Sequence, residues 1–390
     1  MKECVLITSP PINVENLLCL SEGRSFHEIY VGGRFKIIDL LIGNFERVGV
    51  EDFVIVVNSS SSNSLSNYLE LAWNSVRVVV VSKVNDNFKL EYSNFNVSQF
   101  NKFSSEASEV YFDIENFLYQ NYRKVFWAIG YPIWFPIEEY YDGIKNLSIA
   151  LLYSKVGSYH YYHTGAFSQR YISEVIEAVK LGTFNSFFHT YREHNSYEVR
   201  YFLFLPFSNL REYFRMNLGI LDLKVINEFE TLFGKFPIRC KSLHFTPAVI
   251  GKHGKFSNSL VGDSSFVDGS VENSIICPNV KIERDGKIRN AIVFPGNWIG
   301  KNVEINNVII DECTVTLKFP NIGDECILGG KGIGAPNTKY PSIMNFDATL
   351  IGKNVILPRK IQVSLNAYIP SNTDVSKLRI GRYIKSSTVF

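Results

Sequence analysis

No two cysteines of this chain stand at CxxC spacing; the six lie far apart at Cys4, Cys19, Cys240, Cys277, Cys313 and Cys326. That distribution offers no paired zinc ligands, and in so long a chain it does not describe a disulfide framework. Reduced, mostly buried thiols in a cytoplasmic protein are the expectation. The apolar tetrad Cys4–Ile7 falls far short of a secretory h-region. No apolar run approaches the roughly 20 residues of a membrane span, so no membrane partner is expected. Charge of one sign is missing too: 40 basic and 38 acidic residues leave a formal net charge of +2. Bulk electrostatics therefore gives no reason to expect nucleic-acid or membrane-surface binding.

What is present is apolar patterning. Hydrophobic residues make up 46% and charged residues 20% of the 390, which describes a globular protein with a sizeable core and length for about two domains. Cys4–Ile7, Asp52–Val57, Val76–Val81, Lys124–Ile129 and Ser148–Tyr153 read as buried strands. Ser64–Trp73, Phe103–Tyr119 and Ile137–Ile144 read as helices between them. Such alternation predicts an α/β unit with a mostly parallel sheet covered on both faces. Ligands of such sheets bind beyond the carboxyl ends of the strands, which singles out the loops after Ile7, Val57 and Ile129. Ser154 to Lys224 reads as irregular and aromatic-rich. His160 and His163 within it have no acidic or cysteine partner at ligand spacing, so core or interface aromatics are expected rather than a metal site.

Near Pro247 the pattern changes. Aliphatics recur six apart at Val261 and Val267, Ile282 and Ile288, Ile299 and Ile305, then Ile351, Leu357, Val363 and Ile369. A hexapeptide period of this kind predicts a parallel β-helix whose coils bury their aliphatics against one another. The stretch from Gly329 to Pro341 breaks the period and is expected to be a loop thrown off the coils.

The most specific wording is Val31-Gly32-Gly33-Arg34-Phe35-Lys36-Ile37-Ile38-Asp39, a double-glycine turn leading into a helix, with Arg34, Lys36 and Asp39 near its start. It resembles the FGG-[KR]-[YF]-[RK]-x-IDF signature of bacterial glucose-1-phosphate adenylyltransferases, the ADP-glucose pyrophosphorylases. Asn258–Asp263 and Val271–Ile276 resemble the C-terminal β-helix of the same family. The resemblance runs in order over essentially the whole chain. It implies a Rossmann-like nucleotidyltransferase unit (residues 1–240) followed by a left-handed parallel β-helix (241–390).

The same comparison shows what is lost. Active members carry a GGxGTRL loop after strand one, where small residues let backbone N–H groups approach the triphosphate. Here that loop is Thr8-Ser9-Pro10-Pro11-Ile12-Asn13, no glycine follows until Gly23, and prolines remove donors. The family's lysine before the FGG element falls near Phe26. Its two magnesium-binding aspartates fall at Tyr131 and near Pro206, and neither side chain supplies the oxygen ligands magnesium needs. The EKP element has no clear match. Gly23-Arg24-Ser25, preceding Gly32-Gly33-Arg34, resembles the NRS…PFGGRYR wording of the non-catalytic, regulatory-type subunit of bacterial glycogen synthesis. Tyr30-Val31 departs from the Pro-Phe of that motif and Leu40 from its Phe.

The resemblance thus implies a regulatory subunit without catalytic residues or a metal of its own, in a hetero-oligomer with a catalytic adenylyltransferase subunit that holds the magnesium. It also implies a phosphate or sugar-phosphate effector site at Gly32, Gly33, Arg34, Lys36 and Asp39, with Arg359 or Lys360 as possible β-helix contributors. An active divergent adenylyltransferase would need other carboxylates at the expected loops. A sugar-phosphate-binding or structural protein on the same fold is a further alternative. Acyl transfer on the coils lacks its usual imidazole base, because all seven histidines precede Gly254.

Overall fold

The computed structural model describes residues 2–57, 62–84, 87–93, 107–200, 202–241, 246–378 and 381–390. The N-terminal unit runs through β1 (Glu3–Thr8), β2 (Tyr30–Val31), β3 (Phe35–Lys36), α1 (Ile37–Glu46), β4 (Asp52–Val57), α2 (Ser62–Ala72), β5 (Arg77–Val84), β6 (Asn87–Ser93), α3 (Ala107–Asn121) and β7 (Lys124–Ile129). It continues through β8 (Ile133–Trp134), α4 (Glu138–Ile144), β9 (Ile149–Val156), β10 (Tyr159–Ser168), α5 (Ile172–Leu181), α6 (Phe184–Tyr191), β11 (Asn195–Glu198), β12 (Leu203–Phe204), α7 (Leu210–Gly219) and α8 (Leu223–Lys235).

Eight strands form one sheet in the order β11-β9-β10-β7-β1-β4-β5-β6. β7, β1, β4 and β5 run parallel at its centre; β10 and β6 pair with that block antiparallel on either side. Alternate residues of the central strands enter two cores. Val5, Ile7, Phe53, Ile55 and Phe126 face α1 and α2, whereas Leu6, Val54, Val56, Val125 and Trp127 face α3, α5 and α6. This is the two-sided cover that near-continuous apolar strands call for. α1 is buried on every side, which suits a helix whose apolar residues encircle it.

The segment from Ser154 to Lys224 is not irregular. β10 pairs with both β9 and β7, and α6 lays Phe187 and Phe188 against Trp127 at 5.3 and 5.2 Å between ring centroids. Tyr and His carry a polar tip on an apolar body, so the run 159–163 hides the period of two that marks a strand. His163 is buried, with ring nitrogens 3.3 Å from Ser154 Oγ and 3.0 Å from Thr164 Oγ1. Among the described residues no group of three or more His, Cys, Asp or Glu is placed to hold a metal ion. Likewise, no described helix is long and apolar enough to cross a membrane. All six cysteines are free, five of them buried and Cys240 half-buried.

The C-terminal unit is a stack of parallel coils. One ladder climbs through Val267, Ile282 and Ile299 to Ile322 and Leu357. A second climbs through Val271, Ile288, Ile305, Leu328, Val363 and Ile384. A third climbs through Val261, Ile276, Val293, Ile310, Ile351 and Ile369. The expected hexapeptide aliphatics from Val267 onwards meet in one core, with Val261 half-buried at its edge. At one corner Asn258, Asn273 and Asn290 adopt φ of 44–46°, a conformation Asn tolerates, and pass amide hydrogen bonds at 2.8 and 2.7 Å up the stack. The expected interruption spans residues 330–348. A second one, between Ile310 and Ile322, was not legible because it lacks a glycine run.

Third-ladder neighbours Ile275, Ile292, Ile309, Leu350 and Tyr368 turn outward, into the same core as α1 and β1. The two units therefore share one apolar interior. The 330–348 insertion reaches back as well: Arg211 Nη2 donates to the Asn345 carbonyl at 2.9 Å.

Candidate binding site between the two units

The double glycine stands where the N-terminal unit meets the coils. Gly32 and Gly33 have φ of +61° and +73°, and a Cβ on Gly33 would sit 2.5 Å from Ile275 Cγ2. Gly32 N–H donates to Asn217 Oδ1 on α7 at 3.0 Å. Close approach of the β-helix thus accounts for the glycine pair. Beside it opens a cavity of about 510 Å³, walled by Gly32–Phe35, α8 and the first coils through Leu260, Val261 and Asp263.

Of the effector residues expected at this place, Gly32, Gly33, Arg34 and Asp39 line the cavity and Lys36 does not. The Arg34 side chain is exposed, and its Nη2 stands 3.9 Å from Asp263 Oδ2. Lys36 is buried, with its ammonium 4.0 Å over the Tyr68 ring and 4.0 Å from Glu28 Oε1. Burial lowers its pKa, opposed by Glu28. Asp39 is an α1 capping residue: its carboxylate accepts from Lys36 N–H at 2.8 Å, from the Tyr68 hydroxyl and from Trp73 Nε1 at 2.7 Å. Burial raises that carboxyl above its ordinary range, and the three donors oppose the shift. With its oxygens engaged, Asp39 serves the scaffold. Arg359 and Lys360 pair with Glu325 and are not among the cavity walls.

Asp263, Lys241, Phe35, Phe233 and Cys240 also line the cavity. Phe35 belongs to the signature stretch, but α8 and the turn after it carry no motif, so Phe233 could be found only from the amphipathic period of α8 and Cys240 from no local pattern.

The loops beyond β1 and β7, where the strand order switches sides, are closed by apolar groups. Gly130 N–H donates to the Thr8 carbonyl at 2.7 Å, and Trp127 Nε1 to Thr8 Oγ1 at 3.0 Å. The buried His27 imidazole packs on Gly130, where a Cβ would come within 2.5 Å of Nε2. Tyr131 sets its ring edge-on to Phe204 at 5.9 Å, and Phe26 packs on Phe207 at 5.2 Å. These side chains do not fit a magnesium ion: Tyr131, Pro206 and Phe26 bring neither the carboxylates nor the cation that an NTP–metal complex needs. The loop after Val57 begins in residues 58–61, outside the described residues.

Residues 243–326 match the GlmU-like C-terminal hexapeptide family. The match covers the early coils and ends before the 330–348 insertion. A GlmU-like hexapeptide-repeat unit behind an α/β unit with a parallel sheet fits the nucleotidyltransferase–hexapeptide architecture. A search of curated proteins finds no match to the chain.

Proposed function

We propose that this chain is a regulatory, catalytically inactive subunit of glucose-1-phosphate adenylyltransferase, the enzyme that makes ADP-glucose and diphosphate from ATP and glucose 1-phosphate for glycogen synthesis. It works in a hetero-oligomer, where a catalytic subunit holds the magnesium. The observation that carries this reading is the mouth beyond β1 and β7: Tyr131–Phe204 and Phe26–Phe207 contacts stand where the reaction needs carboxylates and a cation. A fold kept without its chemistry leaves binding as its use, and the inter-unit cavity is the place for a metabolite that tunes the assembly.

The first coil suits a partner surface. Val249, Ile250 and Phe256 are exposed there, on strands whose outer edges precede every other coil. Mixed with the catalytic subunit from the same cell, the chain should comigrate in size-exclusion chromatography and change that enzyme's rate or effector response. Separate elution at micromolar concentration with unchanged kinetics overturns the reading.

A further inference from the structure

The cavity holds the end of an aromatic column. Arg47 places its guanidinium 3.9 Å over Trp134, Trp134 stacks on Phe233 (5.5 Å, 7° between planes), and Phe233 stacks on Phe35 (5.4 Å, 8°). Phe233 and Phe35 both form cavity wall, and Leu260, Val261 and Pro278 supply an apolar wall from the coils. The volume of about 510 Å³ is that of a site for one small organic molecule.

Charge then narrows the ligand. The lining carries two cations, Arg34 and Lys241, against three acidic residues, Asp39, Glu230 and Asp263. A phosphate ester brings a charge of about −1.5 to −2 and would be repelled by that balance. With the Asp39 carboxylate engaged by its three donors, the remaining charges balance, so a dianion finds no surplus cation whereas a single negative charge needs only Arg34. Arg34 rests over the Phe35 ring at 5.6 Å and stands 3.9 Å from Asp263 Oδ2, beyond hydrogen-bond distance, so its planar donor fork can swing off both to a carboxylate and leave the Phe35 face to the ligand's ring.

We infer that this cavity binds an aromatic monocarboxylate, its ring continuing the column on Phe35 and its carboxylate taking Arg34 from Asp263. The inference rests on the chain being a binding rather than a catalytic subunit. It replaces the sugar phosphate expected from the Gly32–Asp39 wording with a ligand of lower charge and greater apolar area.

Calorimetry on the full chain tests it with three probes: 2-naphthoate, fructose 1,6-bisphosphate and inorganic phosphate. The expected result is saturable one-to-one binding of 2-naphthoate that neither phosphate compound competes away. Arg34→Gln, a change to an exposed side chain, should weaken naphthoate at least about tenfold. Asp263→Asn should tighten it by about two- to fivefold, because it releases Arg34 from a weak surface pair. A purely structural role for Asp263 predicts no such gain. The inference is overturned by absence of naphthoate binding at millimolar concentration, by its displacement by the bisphosphate, or by parental affinity in both variants. None of those results touches comigration with a catalytic subunit, so the two readings fail separately.

Discussion

Arg24 and Asp311 lie 287 positions apart and form a buried ion pair across the two units, with Arg24 Nη2 within hydrogen-bond distance of both carboxylate oxygens. Glu312 stands 3.9 Å from the same guanidinium and is itself paired with Lys353 at 2.7 Å. Burial raises the Asp311 carboxyl above its ordinary range, and Arg24 opposes that shift. Removing one partner leaves a charge stranded in the shared core. Arg24→Met should therefore cost about 3–5 kcal/mol in urea denaturation, and Arg24→Met/Asp311→Leu should recover much of it. A single-variant cost below about 1 kcal/mol would mean that the pair does not hold the units together.

The chain alone should make no ADP-glucose. Assayed with ATP, magnesium and glucose 1-phosphate, it should stay below roughly 0.1 turnovers per second, a hundredfold under ordinary enzyme rates. Tyr131→Asp should not restore the reaction, because Pro10 and Pro11 still stand where backbone donors are needed. Turnover above that threshold in the parent chain would show that other residues bind the metal.

The strands of the central sheet were legible because they are unbroken apolar runs, and the inward column of the coils because it obeys one period. The docking of the coils on the first unit has a signal in the sequence, but not one that a single period exposes. Ile275-Ile276, Ile292-Val293, Ile309-Ile310 and Leu350-Ile351 are doubled aliphatics, and a strand with both neighbours apolar is buried on both faces. Arg24 was visible only as part of a motif; its partner lies far along the chain, where no local pattern points. The candidate site divided for a similar reason. Spacing put Arg34, Lys36 and Asp39 together near one helix start, but tertiary packing turned Lys36 toward Glu28 and Tyr68 and left Arg34 at the cavity.

Cys240 should be the one described cysteine open to alkylation in the native protein, since the other five are buried. It should also react slowly. Burial, and next the Asp39 carboxylate, push its thiol up to about 12, so little thiolate exists at neutral pH. Labelling with iodoacetamide should run about a hundredfold slower than at a free cysteine, the loss of thiolate being partly offset by its greater nucleophilicity. Mass spectrometry of a tryptic digest distinguishes this from labelling spread evenly over several sites.

Stability should fall as the solution is acidified through the histidine range. His163 is fully buried, and its imidazole is held neutral by desolvation down to about 3; His27 is likewise held neutral to about 4. The groups nearest His163 are the Ser154 and Thr164 hydroxyls and the Phe135 ring, 5.0 Å away, none of which stabilises a cation by charge. In the unfolded chain both histidines titrate near the ordinary value of about 6.5. Below that pH the unfolded chain takes up protons that the folded chain refuses, so unfolding is favoured progressively until the folded-state values are reached. Between pH 7 and pH 5 each histidine should remove roughly 2 kcal/mol. Asp39 and Asp311, whose carboxyls are raised, act in the opposite direction at lower pH and would blur a single curve. The clean measurement is a difference: urea denaturation at pH 7 and pH 5 for the parent and for His163→Gln. The parent should lose about 2 kcal/mol more than the variant over that interval. Equal losses would mean that His163 takes up its proton over the same pH range in the folded protein as in the unfolded chain.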